Sequence, residues 1–528
     1  MRRRLGVYVL LAMAVTGVIV WILVAGRTDP ERHEAITGTE RNHPPPSLDL
    51  PLSEKVAPPG RPPKIIPSAN ARDGELLVRF KNAGEVQVFL ARARQLGVRV
   101  LGRLPRLNTV RIGYDTSEQG EALHSSLPAG ATAESNFIVS VPANPEPGST
   151  AFGGPYLGFG DQALSWLGVP TDHSSWGEGI KIAVLDSGVK RGDGGNFQSV
   201  QEIDLIGSQS KGMSDHGTAV TSIATSVAPE ASVLSIKVID AQGVGDSFTV
   251  AEGILEAVDN GARVINISLG SEGDSSVLRN AVNYALQNNV AVVAAAGNEG
   301  ATSVSFPAAY PGVIAVTAVD ANGRHATFAN TGAVSIAAPG IAVGVPWTDV
   351  SDPATMFSGT SAAAPFVSGT IAGILSQSGS MTAREAGNLL IQYSNDAGAP
   401  GQDAVLGSGI LNVDRVVKRN VSGINDAAIA DIYVTPSKSG QYSAAVTIQN
   451  RGTTILNGAQ LEIQVGGQTW RYQFGGLNVG QVATQTLSLT SDQLTQSSGI
   501  EVQSRVSTAA TDSKPANDAK TVILSVEK

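Results

Sequence analysis

A doubly wound α/β domain with a mostly parallel sheet is the fold class predicted for the middle of this chain. A small α+β domain of ferredoxin-like element order is expected before it and an all-β sandwich after it. Three observations carry the expectation. Between Gly179 and Lys418 continuous apolar strands alternate with helices, the pattern of a parallel sheet buried on both faces. Over 73–142 the order of apolar segments reads β-α-β-β-α-β, a split βαβ arrangement. After Asn420 the hydrophobic period shortens to two, as in half-buried strands.

Each segment can be justified in turn. Arg2, Arg3 and Arg4 precede an uncharged apolar run from Leu5 to Ala25. As a helix this run would be about 31 Å long, close to the hydrocarbon thickness of a bilayer. It places everything downstream outside the cytoplasm. The run (1–27) is expected to be a single-pass membrane anchor, with a signal peptide cleaved near Val24-Ala25-Gly26 as the alternative. Residues 28–72, with Pro44-Pro45-Pro46, Pro58-Pro59 and Pro62-Pro63, read as an extended spacer.

In the α+β segment (73–142), strands are expected at Glu75–Phe80, Val98–Leu104, Thr109–Tyr114 and Phe137–Val141. Asn82 and Glu85 form a capping box ahead of a helix, and a second helix covers Ser117 to Ser126. The α/β domain (152–418) should contain strands at Lys181–Asp186, Val233–Asp240, Val264–Leu269, Val290–Ala296 and Val313–Val319. Its helices are expected at Ser247–Asn260, Asp274–Asn288 and Ser361–Gln377, with another capped by Thr382 and Glu385. The sandwich (425–528) shows alternation at Val446/Ile448, Leu461/Ile463/Val465, Trp470/Tyr472/Phe474, Leu487/Leu489 and Val522/Leu524/Val526.

Composition narrows the function. A net charge of −9 gives no basis for a nucleic-acid partner. Cysteine is absent, which excludes disulfides, thiolate chemistry and cysteine-bound metals. The Gly-rich stretch from Gly153 to Gly160 does not follow a strand, so phosphate binding is not supported.

Three segments carry chemistry. Ile182-Ala183-Val184-Leu185-Asp186-Ser187-Gly188 delivers a carboxylate at the carboxyl end of a buried strand, where open α/β sheets place their sites. Asp215-His216-Gly217-Thr218 puts a histidine at a helix start. Ser358-Gly359-Thr360-Ser361-Ala362 presents a serine at a helix N-terminus among small residues. A serine hydroxyl is a weak nucleophile that needs a neighbouring base. A buried carboxylate would hold that base, His216, in the right tautomer. Gly297-Asn298 follows an apolar strand, and its side-chain amide could donate to an oxyanion.

These segments resemble the subtilases in identity and in the chain order Asp, His, Ser. The resemblance spans roughly Trp166 to Val413, including Val227-Ala228-Pro229 and Ser268-Leu269-Gly270. It implies a serine endopeptidase acting on protein or peptide substrates, with Ser361 as nucleophile, His216 as general base and acid, Asp186 as orienting carboxylate and Asn298 as oxyanion donor. Ser268, Leu269 and Gly270 would form the edge strand that binds extended substrate, and Ser305 would floor the primary specificity pocket. Ala219, Ala362 and Phe366 depart from the family's common residues without removing a catalytic group. The family's calcium loop is not recognisable before Val227, so no metal ligand is assigned and a structural calcium stays open. By the same resemblance, residues 73–142 match the inhibitory prodomain of the precursor, whose end lies in the cleft and is cleaved between Val141 and Phe152. Residues 425–528 resemble an adhesion-type sandwich module.

Overall fold

The computed structural model describes residues 7–12, 19–24, 70–143, 156–190, 199–207, 215–345, 355–437, 441–490, 494 and 499–526. The spacer up to residue 69 and the stretch 144–152 lie outside the described residues.

The central sheet has seven parallel strands, in the order Ile336–Pro339, Ile314–Val319, Ala291–Ala295, Val264–Ile267, Lys181–Asp186, Ser232–Lys237 and Val200–Asp204. Lys181–Asp186 serves two cores. Ile182 and Val184 join the layer containing Trp176, Val220 and Phe366, while Ala183 and Leu185 join the one containing Ile236, Phe248 and Ile254. A strand buried on both faces has no position for a polar residue until its end, hence the unbroken apolar run. The helix Thr360–Ser376 is buried from Thr360 through Leu375, which explains its lack of a polar face.

The N-terminal α+β domain has the expected order. Its strands are Ala71–Arg79, Arg99–Leu104, Thr109–Gly113 and Thr132–Ser140, and its helices Ala83–Ala93 and Ser117–Ser125. Asn82 accepts from Glu85 N at 3.0 Å, but the Glu85 carboxylate reaches Lys81 N, one residue before the cap. The domain's sheet crosses the domain boundary, because Val244–Asp246 of the α/β domain pairs antiparallel with Thr132–Ser140.

The C-terminal sandwich stacks a three-stranded sheet (Ala427–Pro436, Gln441–Asn450, Val482–Thr490) on a second sheet holding Gln468–Gln473, Gln460–Val465, Ile500–Ser507 and Ala519–Val526. Val446, Ile448, Leu461, Ile463, Val502 and Leu524 fill the space between. The second sheet continues into Val7–Ala12 and Ile19–Val24, paired antiparallel to each other, the first also to Ala519–Val526. This corrects the expected helical anchor over Leu5–Ala25. No helix among the described residues is long and apolar enough to cross a membrane. The physical reason is that an apolar run does not reveal its period. Val7, Val9, Ile19, Val20, Ile22 and Val24 are β-branched and suit a strand.

The sandwich is joined to the α/β domain by buried polar contacts. Arg415 is 4% exposed. Its guanidinium donates to the carbonyls of Tyr393 and Ser394 on its own side, and of Asn450 and Arg451 across the boundary. A register shift between Ile429 and Asp431 accompanies a bond from Gly398 N to Asp431 Oδ2 at 2.8 Å, a typical use of a bulge. Asp396 donates its N–H to Gln449 Oε1 at 3.0 Å. Burial pushes its carboxyl up to about 7, with Asp431 and Asp403 adding to the effect and the Gly401 N–H and Arg451 opposing it.

Because the folded value lies above the unfolded one of about 3.9, this group's contribution is complete below about pH 4. It is lost as pH rises through about 7. Asp396→Asn should flatten the fall in urea stability between pH 5 and pH 8 by roughly 2–4 kcal/mol. An unchanged slope would show that Asp396 is ionised in the folded protein.

Candidate active site

Asp186 ends the central strand and is 1% exposed. Both its oxygens face His216, with Oδ1 and Oδ2 at 2.8 and 3.0 Å from Nδ1. Oδ1 also accepts from Ser187 N at 2.7 Å. His216 is the second residue of the helix Asp215–Val227. Gly217 lets this helix start lie against the aspartate, since a Cβ there would collide with the Gly188 carbonyl oxygen. The Phe357 ring stands edge-on to the imidazole, its centroid 5.4 Å away. Nε2 is buried and has no hydrogen-bond partner among the described residues.

Ser361 is the second residue of the helix Thr360–Ser376. Its hydroxyl donates to Ser268 O at 3.1 Å, so the bond to His216 is not formed in this state. Asn298 closes the site from the end of Ala291–Ala295. Its Oδ1 accepts from Thr360 N at 3.0 Å and Thr360 Oγ1 at 2.8 Å, leaving Nδ2 directed into the cleft. Gly359, at φ 127°, allows this approach, because a Cβ would lie 2.8 Å from Asn298 Nδ2.

A second polar thread lies underneath. Pro365 has no N–H, which frees the Ser361 carbonyl from its helical partner. Ser268 Oγ donates to that carbonyl at 3.1 Å, and Asn266 Nδ2 donates to Ser268 Oγ at 3.0 Å. Ser368 Oγ in turn donates to Asn266 Oδ1 at 2.8 Å. Thr360, Asn266 and Ser368 were not expected from the motifs. Asn266, an amide inside the apolar strand Val264–Ile267, was the available signal, because buried amides must find partners.

The cleft is filled by the chain's own residues. Ser140 and Gly270 exchange two backbone bonds of 2.9 Å, and Val141 N donates to Gly243 O at 3.0 Å. Leu269 beside them is fully buried. Pro142 is buried, its Cγ 3.9 Å from where a Gly270 Cβ would stand. The Ala143 carbonyl accepts from Asn298 Nδ2 at 3.0 Å. Ser305 sits between two glycine walls: its Cβ is 3.1 Å from a Cβ built on Gly270, and its Oγ is 2.6 Å from one built on Gly297. Asn330 Nδ2 holds that hydroxyl at 3.2 Å.

The N-terminal domain is held over the cleft at two helix starts. Glu134 accepts from Ser275 Oγ, Ser276 N and Val277 N at 2.7, 2.9 and 3.0 Å, at the N-terminus of Ser276–Gln287. Asn136 Oδ1 accepts from Phe248 N at 3.1 Å at the start of Ser247–Asp259. Arg111 pairs with Glu75 and, across the boundary, with Asp246 at 3.1 Å. These bonds satisfy helical N–H groups that lack intrahelical acceptors. Among the described residues, no group of three or more acidic or histidine side chains gathers to hold a metal.

The arrangement suits acyl transfer. It combines an oriented imidazole with a free nitrogen, a hydroxyl at a helix N-terminus, an amide donor and an edge strand that binds extended chain.

Comparisons with known proteins agree. The subtilase family matches residues 177–409. Subtilisin Savinase of Lederbergia lenta is 34% identical over 267 residues, covering 48% of this chain and 97% of that protein. Thermitase of Thermoactinomyces vulgaris is 36% identical over 250 residues, covering 44% of this chain and 84% of its own. The crystal structure of fervidolysin from Fervidobacterium pennivorans, a keratinolytic enzyme related to subtilisin, matches with a TM-score of 0.56 at 20% identity. It covers 88% of this chain and 92% of its own, so the likeness in fold extends beyond the central domain. The chain belongs to the subtilase family and is a serine endopeptidase.

Proposed function

We propose that Asp186, His216 and Ser361 form the catalytic triad, with Asn298 as oxyanion donor, in an enzyme made as a precursor and exported. The observation that carries the assignment is the doubly accepted His216 Nδ1. It fixes the tautomer and leaves Nε2 free as a base. Ser361 Oγ adds to a substrate carbonyl and His216 takes its proton, then delivers it to the leaving amine. Water next hydrolyses the acyl-serine by the same route in reverse. Ser268, Leu269 and Gly270 bind the substrate backbone, as the Ser140–Gly270 pairing supports, and Ser305 limits the adjoining pocket.

The N-terminal domain acts as the inhibitory prodomain, since its tail lies where substrate must lie. Arg2–Arg4 and the apolar run after them support an export leader that is removed, leaving the enzyme outside the cytoplasm. A fluorophosphonate should label a single serine, Ser361, in processed enzyme, and mass spectrometry of the labelled peptide checks it. Label on another serine would overturn the assignment.

A further inference from the structure

We propose that Pro142 makes the prodomain tail a resident inhibitor rather than a substrate of the cleft it occupies. The proposal rests on the reading of Ser361 as nucleophile and deepens it to the regulation of that site.

The tail enters as an ordinary β-partner. Ser140 pairs with Gly270 and Val141 donates to Gly243 O. The next residue should donate its N–H to the edge strand, and Pro142 has none. Ser268 O is the carbonyl left without that donor, and the hydroxyl of Ser361 fills the place at 3.1 Å. The nucleophile is thereby turned from His216, whose Nε2 has no partner among the described residues.

The oxyanion donor is engaged out of step as well. Pro142 is the buried residue, its ring beside Gly270, whereas Ala143 is exposed. Yet Asn298 Nδ2 bonds the carbonyl of Ala143 and not that of Pro142. Attack needs one carbonyl to have both its side chain in the pocket and its oxygen on the donor. Here the two belong to consecutive residues. The tail therefore binds through ladder and pocket while neither carbonyl is set for reaction. Release requires a cut beyond Asn144 by another molecule.

The test compares the full-length chain with Pro142→Ala, following loss of precursor on gels at several protein concentrations and reading the new N-terminus by sequencing. Wild type should process with a rate that rises in proportion to concentration, and its first residue should lie downstream of Asn144. The variant regains an N–H for Ser268 O. It should process at least tenfold faster, independently of concentration, with Ala143 as the new N-terminus. A hexapeptide of sequence Ile-Val-Ser-Val-Pro-Ala should inhibit mature enzyme uncut, and the version with alanine for proline should be cleaved. A wild-type N-terminus at Ala143 or Asn144, or equal rates for the two chains, would overturn the proposal. Failure of the underlying reading looks different: processed wild type would then hydrolyse no peptide and take no fluorophosphonate at Ser361.

Discussion

Ser361→Ala is expected to abolish turnover of a peptide substrate, by on the order of 10⁶-fold in kcat, a magnitude known from subtilisin itself. In the proposed mechanism the hydroxyl provides the attacking oxygen, and nothing adjacent replaces it. Ser268 Oγ is committed to the Ser361 carbonyl and Thr360 Oγ1 to Asn298. His216→Ala should cost about as much, and the double variant should be no worse than either single one, because nucleophile and base act as a unit. That non-additivity distinguishes a triad from two independently useful residues. The Ser361→Ala precursor should also persist at full length when purified away from other proteases. Its melting temperature should match wild type, since the lost bond to Ser268 O involves one hydroxyl. Ser361→Ala enzyme that still turns over peptide would remove Ser361 from the mechanism.

Asn298→Ala is expected to lower kcat by on the order of 10²–10³, again subtilisin's magnitude, with KM little changed. The amide matters most when the substrate oxygen carries charge, so its loss appears in the transition state. The geometry adds a second expectation. Asn298 Oδ1 accepts two bonds from Thr360, so its removal should also lower stability by about 1–2 kcal/mol. Measuring kcat together with a urea melt separates the effects. An Asn298→Ala enzyme that is destabilised but catalytically intact would mean that the residue only ties down the helix carrying Ser361.

The sequence makes each segment of the proposed triad legible within a few residues: a strand end, a helix start and a small-residue turn. It revealed less where structure depends on neighbours distant in sequence. Val200–Asp204 is an edge strand with Gln201, Glu202 and Asp204 outward, so it lacks the apolar run that marked the strands beside it. Ile500–Ser507 alternates buried and exposed positions without a break, but its short apolar pattern is set between polar segments. The strand expected at Phe137–Val141 begins earlier, at Thr132, because Leu76–Arg79 pairs with Thr132–Ser135. Glu134 and Asn136 fall outside that expected strand. Their role appears only when the helices they cap are packed against them. The apolar run after Arg4 gave the wrong period, since length and hydropathy cannot distinguish a helix from two strands supplied with a sheet edge.

The Arg415 contacts bear on how this protein can be re-engineered. By sequence, residues 425–528 look like a cassette that could be moved to another enzyme or deleted at will. A cut near Asn420 would leave a buried cation with two of its acceptors missing and expose Asp431, Gln449 and Asn450 on the transplanted piece. The protease would inherit an unsolvated charge at the base of the helix Val413–Lys418, and the isolated sandwich a polar hollow with nothing to fill it. Grafting would therefore need Arg415 and the Asn395–Gly398 turn to travel with the module, so the apparent linker is not a seam at which the two parts separate cleanly.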